Sequence, residues 1–473
     1  RGLGDVYKRQ IDTQFASNIS VRAEAAYLNV GTPKSNKLND VATAYIDDFE
    51  GTQTNLDIRD TSSWTLSSIP ATSNSIPLQG SGIENNDLSA GFNRAKLAWY
   101  NIDPIFYSRK RPSGISDNDL SINETRRIFI NEVFPQQDVV QGQSTIQYTL
   151  DLAYYPNEKG PYNNSANFGE NPENNWAGIT RAMTTTNFNQ SSVEHIEFWL
   201  LDTFSDNENN NDNLGNLVFH LGSISEDILK DGRKQFENGL PSSQQNSNVY
   251  STAWGKTPAS QSLVYAFDLN QQNRTNQDLG LDGLNDQEEK LIYTNGPIND
   301  PAGDNYTYFA QENGSILERY KNYNGTQGNS PIEVTEQFRG SYTYPDSEDI
   351  NKDNTMNTID KYFQYRIPIS KNMQVGSHPF IVDVRQNQNI QLPNGDNINS
   401  RWLQFRIPVN PNHYDAPLFS NYFESINGMQ DLSSVRFMRM MVTGFSQPVV
   451  FRFGTLDLVR SDWKRLDLSL IHI

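Results

Sequence analysis

Asp349, Asn351, Asp353, Thr355, Asn357 and Asp360 stand at positions one, three, five, seven, nine and twelve of a single run. Calcium takes six to eight oxygen ligands, and one tight turn can present them only at alternate positions. Side-chain oxygens fill positions one, three, five, nine and twelve, and the Thr355 carbonyl serves seven. Position six needs positive φ; Gly is usual there, and Asn354 is the next best residue. A second run places Asp278, Asp282, Asp286 and Glu289 at positions one, five, nine and twelve, with Gly283 at six. Its position three is Gly280, which has no side-chain oxygen, so water is the expected substitute. Both runs are expected to hold structural calcium. The plainer reading is an acidic, Asn-rich surface turn, since these residue types favour turns in any case.

Catalytic arrangements do not emerge. The histidines are His195, His220, His378, His413 and His472, and no two of them make an HExxH pair. His195 and His220 fall in expected strands and read as packing residues. There is no GxSxG elbow. Gly255-Lys256-Thr257 ends like a phosphate loop, but Tyr250 stands where the first glycine belongs. Asp47, Asp48 and Glu50 resemble a glycosidase pair only in type, in a chain where carboxylates abound. The expectation is a protein that is not an enzyme.

The 473 residues carry 38 Lys+Arg against 56 Asp+Glu, a formal net charge of -18. That balance argues against a nucleic-acid partner, which requires a basic face. Aromatic residues make up 11%, too many for a disordered chain. Cysteine is absent, which excludes disulfides and thiolate metal sites. Aromatic residues scattered among Asn, Gly, Ser and Thr point to short strands joined by long polar loops.

Strict alternation over 17–28 (SNISVRAEAAYL) reads as a half-buried strand, with the pattern of a lipid-facing barrel strand. Further strands are expected at 127–134, 145–154, 193–201, 216–222, 362–369, 379–385, 401–409, 435–445 and 448–458. Residues 71–125 read as polar loop around an aromatic knot at 96–107. Short helices are expected around 226–236 and 286–292.

Ser191-Ser192-Val193 opens a strand that leads to Leu217-Val218-Phe219, and Ser433-Ser434-Val435 opens one that leads to Val449-Val450-Phe451. This repeat predicts a duplication: two jelly-roll-like β-sandwiches with equivalent inner strands. The expected division is adapter-like sequence at 1–10, a barrel strand and linker at 11–39, a first jelly-roll-like domain at 40–270, a linker with a calcium-loop-like segment at 271–329, a second jelly-roll-like domain at 330–465, and adapter-like sequence at 466–473.

Three resemblances follow from these residues. The 349–360 run resembles a dockerin-type calcium loop, departing from it with Asp at twelve and Asn at six. The Asp47-Asp48-Phe49-Glu50-Gly51 run, followed by Trp64, resembles the opening of galactose-binding-like jelly rolls, including some carbohydrate-binding modules. The stretches 44–64, 94–107, 127–155, 175–188, 193–202, 278–289 and 401–462 are similar to SprA, the outer-membrane β-barrel of the type IX secretion system and of gliding motility. SprA proteins are several times longer, so the resemblance implies a fragment of a protein that also forms a large outer-membrane barrel. It implies a non-catalytic plug, cap or rim at the cell outer membrane. The soluble part would lie in the periplasm or at the cell surface, with other type IX secretion components and exported cargo proteins as partners. The alternative is a pair of carbohydrate-binding modules of a surface polysaccharide system. The two differ in one respect: a glycan module exposes aromatics on one face, whereas a translocon insertion buries them.

Overall fold

The computed structural model describes residues 37–38, 41–42, 53–76, 78, 82–137, 142–205, 213–237, 249–259, 267, 279–324, 345–415, 417 and 419–461. The chain divides into two units, Arg1–Thr52 and Gln53–Ile473. In the first, β1 (Lys37–Leu38) pairs antiparallel with β2 (Val41–Ala42). The expected barrel strand at 17–28 and the run at 47–51 lie outside the described residues.

The second unit is mainly β, and every pairing between its strands is antiparallel. Its strands are β3 (Gln53–Asp57), β4 (Thr65–Leu66), β5 (Ala95–Tyr100), β6 (Leu150–Lys159), β7 (Trp176–Ala182), β8 (Val193–Leu201), β9 (Asn213–Ser223), β10 (Val249–Ser251), β11 (Lys256–Pro258), β12 (Lys361–Ser370), β13 (Ile381–Gln391), β14 (Asn397–Pro408), β15 (Phe423–Ile426), β16 (Phe437–Thr443) and β17 (Val449–Ser461). One sheet has the order β15-β12-β9-β16-β7-β4. The other runs β13-β14-β8-β17-β6-β5, with β3 added on β17. β10 and β11 form a separate hairpin.

A common hydrophobic core joins the inner faces of the two large sheets. Phe198 of β8 meets Phe219 of β9 across the layers at 5.7 Å between ring centroids, and it stacks on Phe405 of β14 at 5.0 Å. Trp64, Trp99, Trp176, Trp254 and Trp402 are fully enclosed, and Trp199 is buried too. Burying such side chains is the main source of stability in a sandwich of this kind.

The repeat has a different meaning from the one its sequence suggests. The strand from Val193 lies in the seven-stranded sheet, whereas the one that follows Val435 lies in the six-stranded sheet. The two copies pair with each other, β8 with β17 and β9 with β16, at the centres of both sheets. The expected sandwiches at 40–270 and 330–465 are therefore interleaved in one body. Central strands must find a partner on each side, and here that partner comes from the other half of the chain. The expected linker is also part of this body. Leu281, Tyr293 and Ala302 enter the main core, and Phe309, Ile316 and Tyr320 pack on Ala98, Tyr100 and Ala153.

Two local expectations are corrected. Residues 127–134 are not a strand but contain a helical turn, Ile130–Val133. Glu132 makes that turn by accepting the Phe129 amide (3.1 Å) while pairing with Arg126 Nη2 at 2.8 Å. Residues 226–236 form no helix; their acidic side chains accept amide hydrogens and hold the segment as a series of turns. Strands β5 and β7 arise in stretches where none was expected. By contrast, the helix expected around 286–292 is present as Asp286–Glu289, capped by Asn285.

Candidate metal centres

Position six of the 349–360 loop behaves as its residue type requires, with Asn354 at φ +67°. Asp349 is buried; its Oδ1 accepts the Asp353 amide at 3.0 Å, and its Oδ2 lies 3.4 Å from Lys234 Nζ. Asn351 Oδ1 also accepts the Asp353 amide, at 3.0 Å, and its Nδ2 donates to Asp353 Oδ2. Asp353 Oδ1 accepts the Thr355 amide (2.8 Å) and hydroxyl (2.5 Å). Asn357 Nδ2 donates to the Ile224 carbonyl, whereas Asp360 accepts the Ser225 amide and lies 3.6 Å from Arg439. The loop thus spends much of its oxygen set on its own turns and on neighbouring segments.

Its fastening is a reciprocal clasp with 224–237. Glu226 accepts the amides of Ile350 (2.6 Å) and Asn357 (2.8 Å). In return, Glu348 Oε1 accepts those of Ile228 (2.6 Å) and Leu229 (3.1 Å), and its Oε2 accepts that of Gln235 (2.9 Å). Asp227, Asp231 and Glu348 form a buried trio whose carboxylate oxygens come within 4.8 Å of one another. Asp227 accepts the amides of Asp231 and Gly232; Asp231 accepts the Arg233 amide and the Gln235 side-chain amide. Burial, then the Asp231 charge, pushes Asp227 up to about 6. Burial and both aspartates hold Glu348 well above the usual carboxylate range. Every carboxylate oxygen of this trio has an N–H donor.

The second run meets a different fate. Asp278 lies outside the described residues. Asp286 is half-buried and accepts from Asn305 Nδ2 at 2.9 Å. Asp282 and Glu289 come together with Asp304, again within 4.8 Å. Asp304 was not singled out by spacing. Asp300-Pro-Ala-Gly-Asp304 signals a turn, but nothing in the sequence tells which carboxylates the turn faces. Asp300 Oδ1 makes the turn by accepting the amides of Gly303 and Asp304. Glu289 Oε2 accepts the Ala302 amide at 2.8 Å, and Asp282 Oδ1 accepts that of Leu284 at 3.0 Å. The Asp282 carbonyl receives the Lys256 amide of β11 (2.7 Å), and Gly255 leaves room for that approach: a Cβ there would lie 2.1 Å from the carbonyl oxygen. Burial, then the charge of Glu289 on Asp282 and those of Asp282 and Glu289 on Asp304, holds both aspartates well above the usual carboxylate range; burial, then the charges of Asp300 and Asp286, brings Glu289 to about 7.

Among the described residues no helix is long and apolar enough to cross a membrane. His220 is enclosed between β12 and β16, where it packs and hydrogen-bonds as a structural group.

The Gln53–Ile473 unit is thus a two-sheet antiparallel sandwich whose long connections are fastened by buried carboxylates. Residues 282–472 match the SprA_N family, described as a motility related/secretion protein. A comparison with curated proteins finds no match.

Proposed function

We propose that this chain is a non-catalytic, structural part of the type IX secretion translocon of the outer membrane, at its plug, cap or rim, serving protein export and gliding motility. The family match over 282–472 carries the reading. The burial of the tryptophans supports it against glycan binding, since a sugar-binding face needs exposed aromatic platforms and six of the indoles are spent in the core. In this reading the barrel belongs to the parent protein. The sandwich acts as a rigid lining in a chain whose formal charge of -18 repels acidic cargo. Its partners are the other secretion components and the exported proteins, met through the polar loops. Removing 53–461 in frame from the parent protein tests this. Lost cargo export or a leaking outer membrane is the expected result. Unchanged export and sealing would overturn the proposal.

A further inference from the structure

We propose that Asp282, Glu289 and Asp304 form a buried calcium site, with one ligand supplied from outside the loop that carries the other two. Their ligand atoms lie within 4.8 Å of one another. Two oxygens that share one calcium at about 2.3–2.6 Å each can be no more than about 5 Å apart, so the spread fits a single ion.

Unpartnered oxygens are the second, independent observation. Asp282 Oδ2 and Asp304 Oδ2 are both buried and no donor meets either in hydrogen-bond geometry; the Tyr162 hydroxyl, which accepts the Leu281 amide, stands beside Asp304. Asp282 is 0% exposed and Asp304 8%. The neighbouring Tyr293 hydroxyl donates to the Trp254 carbonyl at 2.9 Å. Among the described residues no Lys or Arg forms an ion pair with any of the three. Burying carboxylate oxygens without a partner is costly, and a cation removes that cost. The Asp227–Asp231–Glu348 trio is the internal contrast. It has the same number of acids in the same space, but amide hydrogens satisfy its oxygens.

Gly280 explains how the site is assembled. It sits at φ +66°, and a Cβ there would lie 1.8 Å from Asp304 Oδ2. The room that a side-chain ligand at position three would occupy is filled by the Asp304 carboxylate from a later turn. All donors are hard oxygens, which suit calcium or magnesium and not zinc. Three carboxylates able to bind through one oxygen or two, in a buried place, favour calcium, because magnesium keeps several of its waters. The ion would join 282–289 to the 300–304 turn and, through the Asp282 carbonyl, to β11. The site is independent of the export role and stands or falls separately from it.

Titrating the chelator-stripped chain with calcium chloride, by calorimetry and by thermal melting, tests the site. The expected result is calcium uptake, with a rise in Tm, that Asp304→Asn weakens on the order of 100-fold. Asp353→Ala should leave that binding intact. If Asp304→Asn does not fold, Glu289→Gln and displacement of terbium from the unmodified chain give the same reading. No calcium uptake by the unmodified chain, wild-type affinity in folded Asp304→Asn, or loss of binding in Asp353→Ala would each overturn the assignment.

Discussion

Arg439 Nη1 lies 3.3 Å from His220 Nδ1, and this contact fixes the histidine's chemistry. A guanidinium can only donate, so Nδ1 accepts, and the ring hydrogen sits on Nε2, which lies 2.9 Å from Gln364 Oε1. The pair belongs to a row of directly opposed residues that crosses the six-stranded sheet: Glu424, Gln364, His220, Arg439, Thr180 and Thr65. Opposed residues in an antiparallel sheet share a face. The 67–76 segment covers this row with hydroxyls. Ser68 accepts from Arg439 at 2.9 Å, and Gln364 donates to Ser73 (2.8 Å) and Ser75 (2.9 Å). Both serines in turn donate to Glu424 Oε2 at 2.7 Å.

Neutral, buried histidines make the fold sensitive to acid. Burial, then the Arg439 charge, holds His220 well below its ordinary value. Burial brings His195 and His378 to about 4. For a depressed histidine the contribution to stability is whole above about pH 6.5 and is lost as pH falls towards the folded value. His378 packs among Phe380, Phe405 and Tyr422, so Phe fits its place. His378→Phe is expected to lessen the loss between pH 6.5 and 4 by about 1 kcal/mol per pH unit. Urea midpoints across that range check the slope.

Asp457 shows the opposite sign. It stands across from Asp57 on β3 and Glu197 on β8. Burial and then the Asp57 charge raise its carboxyl to about 6. A raised carboxyl contributes stability below its unfolded value near pH 3.8 and loses it as pH rises through about 6. Asp457→Asn is therefore expected to stabilise the fold at pH 7.5, by about 0.2–1 kcal/mol, and to do little at pH 4. Melting at the two pH values separates the outcomes.

The clasp between 224–237 and 346–360 depends on Glu348, which holds the amides of Ile228, Leu229 and Gln235. Glu348→Ala strands all of them, at about 1–3 kcal/mol each, for a loss of at least about 3 kcal/mol. Glu348→Gln keeps one acceptor oxygen and is expected to lose roughly half as much. Equal losses in the two variants would show that packing, rather than these hydrogen bonds, dominates. Denaturant unfolding measures both.

Local signals were legible in the sequence. The strand expected at 193–201 matches β8, and the one at 362–369 lies within β12, because β-branched and aromatic runs favour strand locally. Asn354 could be placed at positive φ for the same kind of reason. The mainly-β character and the similarity to the SprA family, which the SprA_N match over 282–472 supports, also came from residue types and their order. What the sequence could not decide is which strands become neighbours. The Ser-Ser-Val repeat reads equally well as two domains or as one interleaved pair, because strand pairing joins residues hundreds of positions apart. The acids show the same limit. Spacing drew attention to Asp282 and Glu289, but Asp304 enters only because Gly280 leaves it room, and Glu348 serves amides more than a hundred residues away. A carboxylate's task is set by what surrounds it in space, and only the tertiary structure brings those surroundings together.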